Sequence, residues 1–190
     1  MLAGSATSGI LPSPLAPRPA EASVSVAVTL EQLVASSSFV VVATAVEQRS
    51  QWEELGGSRR IVTYTRLAVD QAAVGDPGKE IWVRTLGGVV GKIGQSVSGE
   101  AHLAPGSQSL VFLRRMDDGA TVVSAMAQGH YPLVKTAADQ PLRLAASPDA
   151  GAILPRSGPS IAAREALVGT PLADAIKAVR HARQVLDGKR

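Results

Sequence analysis

The chain has no cysteine, which excludes disulfide frameworks, Cys-ligated zinc, iron–sulfur clusters and thiol catalysis together. Aromatic residues are almost as scarce: Phe, Trp and Tyr make up 3% of the 190 residues, against 45% apolar residues in all. The core must therefore be built from Val, Ala, Leu and Ile, and the aromatic platforms on which single-strand nucleic-acid binders stack bases are lacking. A surplus of one charge is lacking too. Nineteen basic against sixteen acidic residues leave a formal charge of +3, too little to motivate nucleic-acid binding. The longest largely apolar run, Phe39 to Val46, falls well short of the roughly 20 residues that a membrane-crossing helix needs.

What is present suits one domain of ordinary size with tails. Arg outnumbers Lys, and Ala and Val are abundant, the bias of GC-rich bacterial genomes. Residues 1–22 join a small-residue apolar stretch to prolines at 12, 14, 17 and 19 and end in Ala20-Glu21-Ala22, the small-x-small form read by signal peptidase. They read as the remnant of an export signal or as a disordered Pro-rich tail.

Thr29-Leu-Glu-Gln32 has the form of a capping box, and Leu30, Leu33 and Val34 share a helical face, predicting a short helix over 29–37. The β-branched run 38–47 predicts a strand buried on both faces. Polar, Gly-rich residues 48–60 predict a long exposed loop. Ile61 to Val74 alternates as a strand with one wetter face, Gly75 to Gly78 turns, and Glu80 to Thr85 is the next strand. The glycines of 86–94 permit a bulge or sharp corner, and alternation resumes over 97–103. Ser109 to Arg114 reads as a buried strand, hairpinned through Asp117-Asp118-Gly119 onto 121–126. An edge strand at 142–145 and a Pro/Gly/Ser linker over 147–159 precede two helices, one capped by Ser160 and one entered through Thr170-Pro171. Leu172, Ala175, Ile176, Val179 and Leu186 share the second helix's apolar face. The expected fold is mainly β: an OB-like antiparallel barrel over 23–146, with a short N-terminal helix and a helical extension over 160–190.

Chemistry-bearing motifs are sparse. Gly91-Lys92 lacks both the glycine five positions earlier and the following Ser or Thr of a phosphate loop, and glycines 88, 91 and 94 do not form G-x-G-x-x-G. Ser98, in Gln95-Ser-Val-Ser-Gly99, lacks the first glycine of a nucleophile elbow. Glu100 and His102 would share one face of a strand, so these two, joined by His130 if the fold brings it there, are the candidate metal or acid/base residues. His181 stands apart on the basic helix face with Lys177 and Arg180. Trp52, in the expected loop beside Glu53, is the candidate contact anchor, with Gly87, Gly88 and Lys92 of the glycine corner as a second contact surface.

The order Ser38-Phe-Val-Val-Val-Ala-Thr-Ala-Val46, Ile61-Val-Thr-Tyr-Thr65, Trp82-Val-Arg-Thr-Leu-Gly-Gly-Val-Val-Gly91 and Pro105-Gly106 before Leu110-Val-Phe-Leu113 resembles exported bacterial proteins with an OB-like barrel, over residues 30–135. More remotely it is similar to the netrin-like barrel of tissue metalloproteinase inhibitors, whose N-terminal cysteine grips the protease zinc; this chain has none, so that mechanism does not carry over. The resemblance implies an exported (periplasmic, envelope or secreted) barrel; the expected function is a non-catalytic binding module, without a cofactor, that contacts a protein or glycan through the 48–60 loop with Trp52 and through the glycine corner at 87–94. The alternatives are a hydrolase, metal-dependent or acid/base, using Glu100 and His102, or a cysteine-free protease inhibitor.

Overall fold

The computed structural model describes residues 24–158 and 160–189, so the expected export signal or tail lies outside the described residues. The chain begins with β1 (Val24–Val26) and α1 (Leu30–Ala35), whose N-terminus is the expected capping box: Thr29 Oγ1 accepts from Gln32 N–H while Gln32 Oε1 accepts from Thr29 N–H. Then come β2 (Phe39–Leu55), β3 (Ser58–Val74), β4 (Glu80–Leu86) and the short pair β5 (Gly88–Val90) and β6 (Ile93–Gln95). β7 (Gln108–Arg115), β8 (Thr121–Val123), a 3-10 turn, β9 (His130–Val134) and β10 (Arg143–Leu144) follow. β11 (Ala152–Leu154), α2 (Ala163–Leu167) and α3 (Leu172–Asp187) complete the described chain.

The fold is mainly β, with three helices and a seven-stranded sheet in the order β10-β9-β7-β2-β3-β4-β8. β8 also pairs with β7, so β2, β3, β4, β8 and β7 follow one another in a ring. Its last junction, β4 to β8, is parallel and rests on one register pair, Arg84 with Val122, so the ring is not antiparallel throughout.

Alternation sorts the core into two layers. On β2 and β7, Val41, Ala43, Val111 and Leu113 face inward, where they meet Leu67, Ile81, Val83 and Leu103. Val40, Val42, Leu110 and Phe112 face outward, under the helices. Both strands are thus buried on two faces, as their unbroken apolar runs require. Ala175, Ile176 and Val179 of α3 and Leu33 and Val34 of α1 close the outer layer. The C-terminal helices share this core with the sheet.

Three expectations are corrected. Residues 48–60 are no loop: β2 and β3 run on as a two-residue hairpin through Gly56 and Gly57, both with positive φ, because paired strands satisfy the backbone that a loop would leave to water. Residues 97–103 form no strand. The stretch 147–159 carries a 3-10 turn and β11, which pairs in parallel with β1. In addition, Ser160 does not cap α2, whose N-cap is Ala162 without a side-chain bond, and α3 starts from Pro171 without one. None of the helices among the described residues is long and apolar enough to cross a membrane.

Candidate functional site

Beyond Leu86, its last partner on β4, β3 is paired with β2 alone, and the two project as a two-stranded arm. Period-two alternation gives this sheet two distinct faces. One carries Glu47, Arg49, Glu53, Tyr64, Arg66 and Arg84. Glu47 pairs with Arg49 (2.6 Å) and Arg66 (3.1 Å), and Arg66 also pairs with Glu80. Arg84 bridges Glu53 (3.6 Å) and Asp118 (2.8 Å), while Tyr64 donates its hydroxyl to Glu53 (2.9 Å). The hydrogen bonds from Arg49 and Arg66 hold the Glu47 carboxyl below its ordinary value, and those from Ala120 N–H and Arg84 do the same for Asp118.

The other face continues the ring's interior outward. Ser50, Thr63 and Thr85 are register neighbours on β2, β3 and β4 and make a hydroxyl row across three strands. They floor an open groove of 830 Å³, walled by the β5–β6 hairpin, by residues 96–102 and by Asp149. Gly88 starts the hairpin with φ +129° and lies so close over the row that a Cβ there would stand 2.2 Å from Thr63 Oγ1 and 2.6 Å from Ser50 Oγ. Only glycine fits, in conformation and in space. Gln95 Oε1 accepts from Ile61 N–H (2.7 Å) and ties β6 back to β3.

The hydroxyl protons of the row are accounted for. Thr63 donates to Gly87 C=O (2.7 Å), and Thr85 donates to Thr63 C=O (3.4 Å). Since a hydroxyl has one proton, the 2.8 Å bond between Ser50 and Thr63 is donated by Ser50. Both N–H groups of the Gln48 amide are likewise engaged, by Thr65 Oγ1 (3.2 Å) and Leu103 C=O (2.8 Å). What these groups have left are lone pairs.

At the groove's other side stand Glu100, His102 and Asp149. Burial raises the Glu100 carboxyl above its ordinary value, against the hydrogen bonds from Leu86 and Ala101 N–H. Asp149 Oδ2 accepts from His102 N–H (3.0 Å) and lies 3.5 Å from Ser147 Oγ. Behind it, buried His130 sits between Ser147 Oγ (3.3 Å from Nδ1) and Ser109 Oγ (3.0 Å from Nε2). Desolvation lowers the His130 imidazole to about 4, opposed by Asp149 and reinforced by His102. His130 is thus a neutral core residue that anchors the 3-10 turn carrying Asp149.

The structure therefore divides the sequence candidates. Gly87, Gly88, Glu100 and His102 meet in the groove, and His130 is tied to its rim through Ser147 and Asp149. Glu100, His102 and His130 are not gathered as metal ligands, and among the described residues no group of three or more His, Asp or Glu is. Lys92 sits in the exposed turn between β5 and β6. Glu53 belongs to the charged face. Trp52 is half-buried on the arm, on the same face as Gln48 and Ser50 and just beyond the groove, with the Arg59 guanidinium 4.9 Å from its ring centre. Sequence reasoning missed Ser50, Thr63, Thr85 and Asp149. The one signal was for Thr63: the hydroxyls at 63 and 65 interrupt an otherwise apolar strand face between Ile61 and Leu67. No protein-family model matches this chain, and no curated protein does.

Proposed function

We propose that this chain is a non-catalytic, exported binding module of OB-like barrel type that takes a glycan in the groove, with Trp52 on the arm extending the contact surface. The observation that carries the reading is the hydroxyl row: three register-matched side chains that floor a groove, with a covering strand that lies down on one end of the row because Gly88 has no Cβ. The ring order of β2, β3, β4, β8 and β7 supports the OB-like classification, and barrels of that kind bind oligomers on a sheet face and its flanking loops. Export is supported by Ala20-Glu21-Ala22 and by the bacterial composition bias. A ligand with many hydroxyls suits an extended row of hydrogen-bonding groups better than a folded protein surface does, since the row lies below the groove rim.

Titration of the isotope-labelled chain with panels of short oligosaccharides and of peptides tests this by amide and indole shifts. The expected result is a saccharide that moves Gly88, Ser98 and the Trp52 indole. Shifts confined to the charged face or to α3, or none from either panel, would overturn it. One observation favours a second reading: Glu100 lines the groove and burial raises its carboxyl above the ordinary value, the direction that the acid of a hydrolase needs. Release of reducing ends by the wild-type chain but not by Glu100→Gln would establish that reading instead.

A further inference from the structure

One turn holds the wall of the groove from behind. Residues 124–129 join β8 to β9, and Ala127 N–H donates to Gly99 C=O (2.9 Å) in the middle of the 96–102 wall. The turn leads directly into His130, which reaches Asp149, the acceptor of His102 N–H, through Ser147. Both fixed points of the wall therefore depend on the same stretch of backbone, and that stretch is strained. Ala125 (φ 53°) and Met126 (φ 54°) are adjacent, and they are the two non-glycine residues with positive φ among the described residues. Such a conformation crowds the Cβ and persists only where its surroundings impose it. On one side the core does so: Ser124 N–H donates to Phe112 C=O (2.8 Å), and Ser124 Oγ lies 2.8 Å from Ser37 Oγ. On the other side Gln128 is clamped to the N-terminal segment, 100 residues away along the chain: its Oε1 accepts from Val28 N–H (3.1 Å), and its Nε2 donates to Ser25 Oγ (3.2 Å) and Val26 C=O (3.1 Å). β1, the strand so clamped, is lightly held. It pairs with β11 alone, Val24 and Val26 are 55% and 57% exposed, and its buried anchor is Ala27, one residue past its end. A segment with so few buried contacts opens locally before the core does.

We infer that β1 is a releasable strap that sets the groove: docked on Gln128 it keeps the 124–129 turn in its strained form and the wall in place, and undocked it lets the turn relax and frees Gly99. Gln128 is the positioning residue of this device, and it is not itself among the residues that line the groove. The inference rests on how the groove is built and not on what it binds, so it stands apart from the glycan reading. Linkage makes the device reciprocal: a ligand seated against the wall tightens the strap, and a strand that takes the place of β1 on β11 opens the wall.

Hydrogen exchange and thermal unfolding of the full chain, with no ligand added, test it. Two variants undock the strap from different ends: Gln128→Ala removes the clamp, and Ser25→Pro breaks the pairing with β11 without touching the turn. In each, exchange of the Ala127 amide should quicken at least tenfold more than that of the Leu110 and Phe112 amides of β7, which report global opening, and the Gly99 and Glu100 resonances should move. Equal quickening of all three amides would reduce Gln128 to an ordinary stabilising contact and overturn the inference, as would an Ala127 amide that either variant leaves unchanged. Ala125→Gly reads the strain itself, because glycine adopts positive φ without crowding, whereas in a relaxed turn it only adds freedom to the unfolded chain. Its effect on the melting temperature should be more favourable in the wild type than in the Gln128→Ala background by about 2–4 °C; the lost Ala125 methyl enters both backgrounds and cancels. The same effect in both would mean that something other than the strap imposes the strain, and the device would fall while the groove and its glycan reading remained.

Discussion

On one face of the β2–β3–β4 sheet, Glu47, Glu53, Arg66 and Arg84 satisfy one another across the strands; on the other, Ser50, Thr63 and Thr85 spend their protons inward and present lone pairs to an open groove. Both faces are polar, and both are built from residues two apart on the same strands. The charged face is largely closed in a chemical sense, Glu47, Glu53, Arg66 and Arg84 each having a partner across the strands, and so these four have little left to offer a ligand. The groove face is half-satisfied: the row keeps lone pairs, while Gln95, Ser96 and Ser98 bring amide and hydroxyl protons to the same groove. Polarity alone therefore does not mark a binding surface; what marks it is the set of hydrogen-bonding groups left over once the fold has used what it needs.

Acid should separate the two faces, with the largest effect on the groove side. His130 holds the Asp149 turn through Ser147, and its folded-state value of about 4 lies below the ordinary 6.5. The folded form thus disfavours the proton that the unfolded chain accepts. The contribution is full above pH 6.5 and is lost as pH falls toward 4, by about 3 kcal/mol for a shift of this size. Denaturant midpoints measured across that window should fall steadily for the wild type and stay nearly flat for His130→Asn; equal slopes would place the loss elsewhere. The charged face should respond later, because the Glu47 and Asp118 carboxyls are held below their ordinary values, and their contribution goes only as pH falls through those lowered values.

Thr63→Val tests the row itself. The substitution keeps the shape, removes the bond to Gly87 C=O and leaves Ser50 without its acceptor, so unfolding free energy should drop by about 1–3 kcal/mol. Saccharide binding should fall with it, because nothing else then fixes the direction of the Ser50 proton. Arg84→Met on the opposite face should cost less, within about 1 kcal/mol, as Glu53 retains Tyr64 and Asp118 retains Ala120 N–H. Its signature is ionic: added salt should weaken the wild type more than the variant, which keeps the pairs of Glu47, Arg66 and Glu80, with groove binding intact in both.

Much of the scaffold was legible from the sequence, for physical reasons that can be named. The capping box at Thr29 and Gln32 and the two-face burial of Phe39 to Val46 are local signals, fixed by spacing alone. Residues 48–60 misled because Gly56-Gly57 in a polar stretch reads as a loop tip, whereas the same pair makes a two-residue turn once polar strands on both sides find each other. β9 and β11 were hidden because each is short and takes its partner from distant sequence: β7 for the one, β1 for the other. In the site, Glu100, His102 and the glycines stood out by residue type. The hydroxyl row did not, since Ser50, Thr63 and Thr85 become a row only through the register of three strands, and which of them donates is settled only by their neighbours.

The smallest effect on stability and the sharpest on function should come from Trp52. Its ring lies on the groove face of the arm, half-buried, opposite Ile61 and beneath Arg59. It belongs to neither core layer, and the arm's hairpin ladder does not depend on it. An exposed stack of this kind is worth about 0.5–1 kcal/mol, so Trp52→Ala should shift the melting temperature only slightly. A sugar ring that occupies the groove and reaches onto the arm would lose its one flat apolar contact, and affinity should fall by about tenfold. Calorimetry beside thermal unfolding reads both quantities on the same sample. Loss of stability comparable to Thr63→Val would make Trp52 part of the scaffold, whereas loss of affinity alone would extend the binding face from the hydroxyl row onto the arm and leave the charged face as the inert side of the sheet.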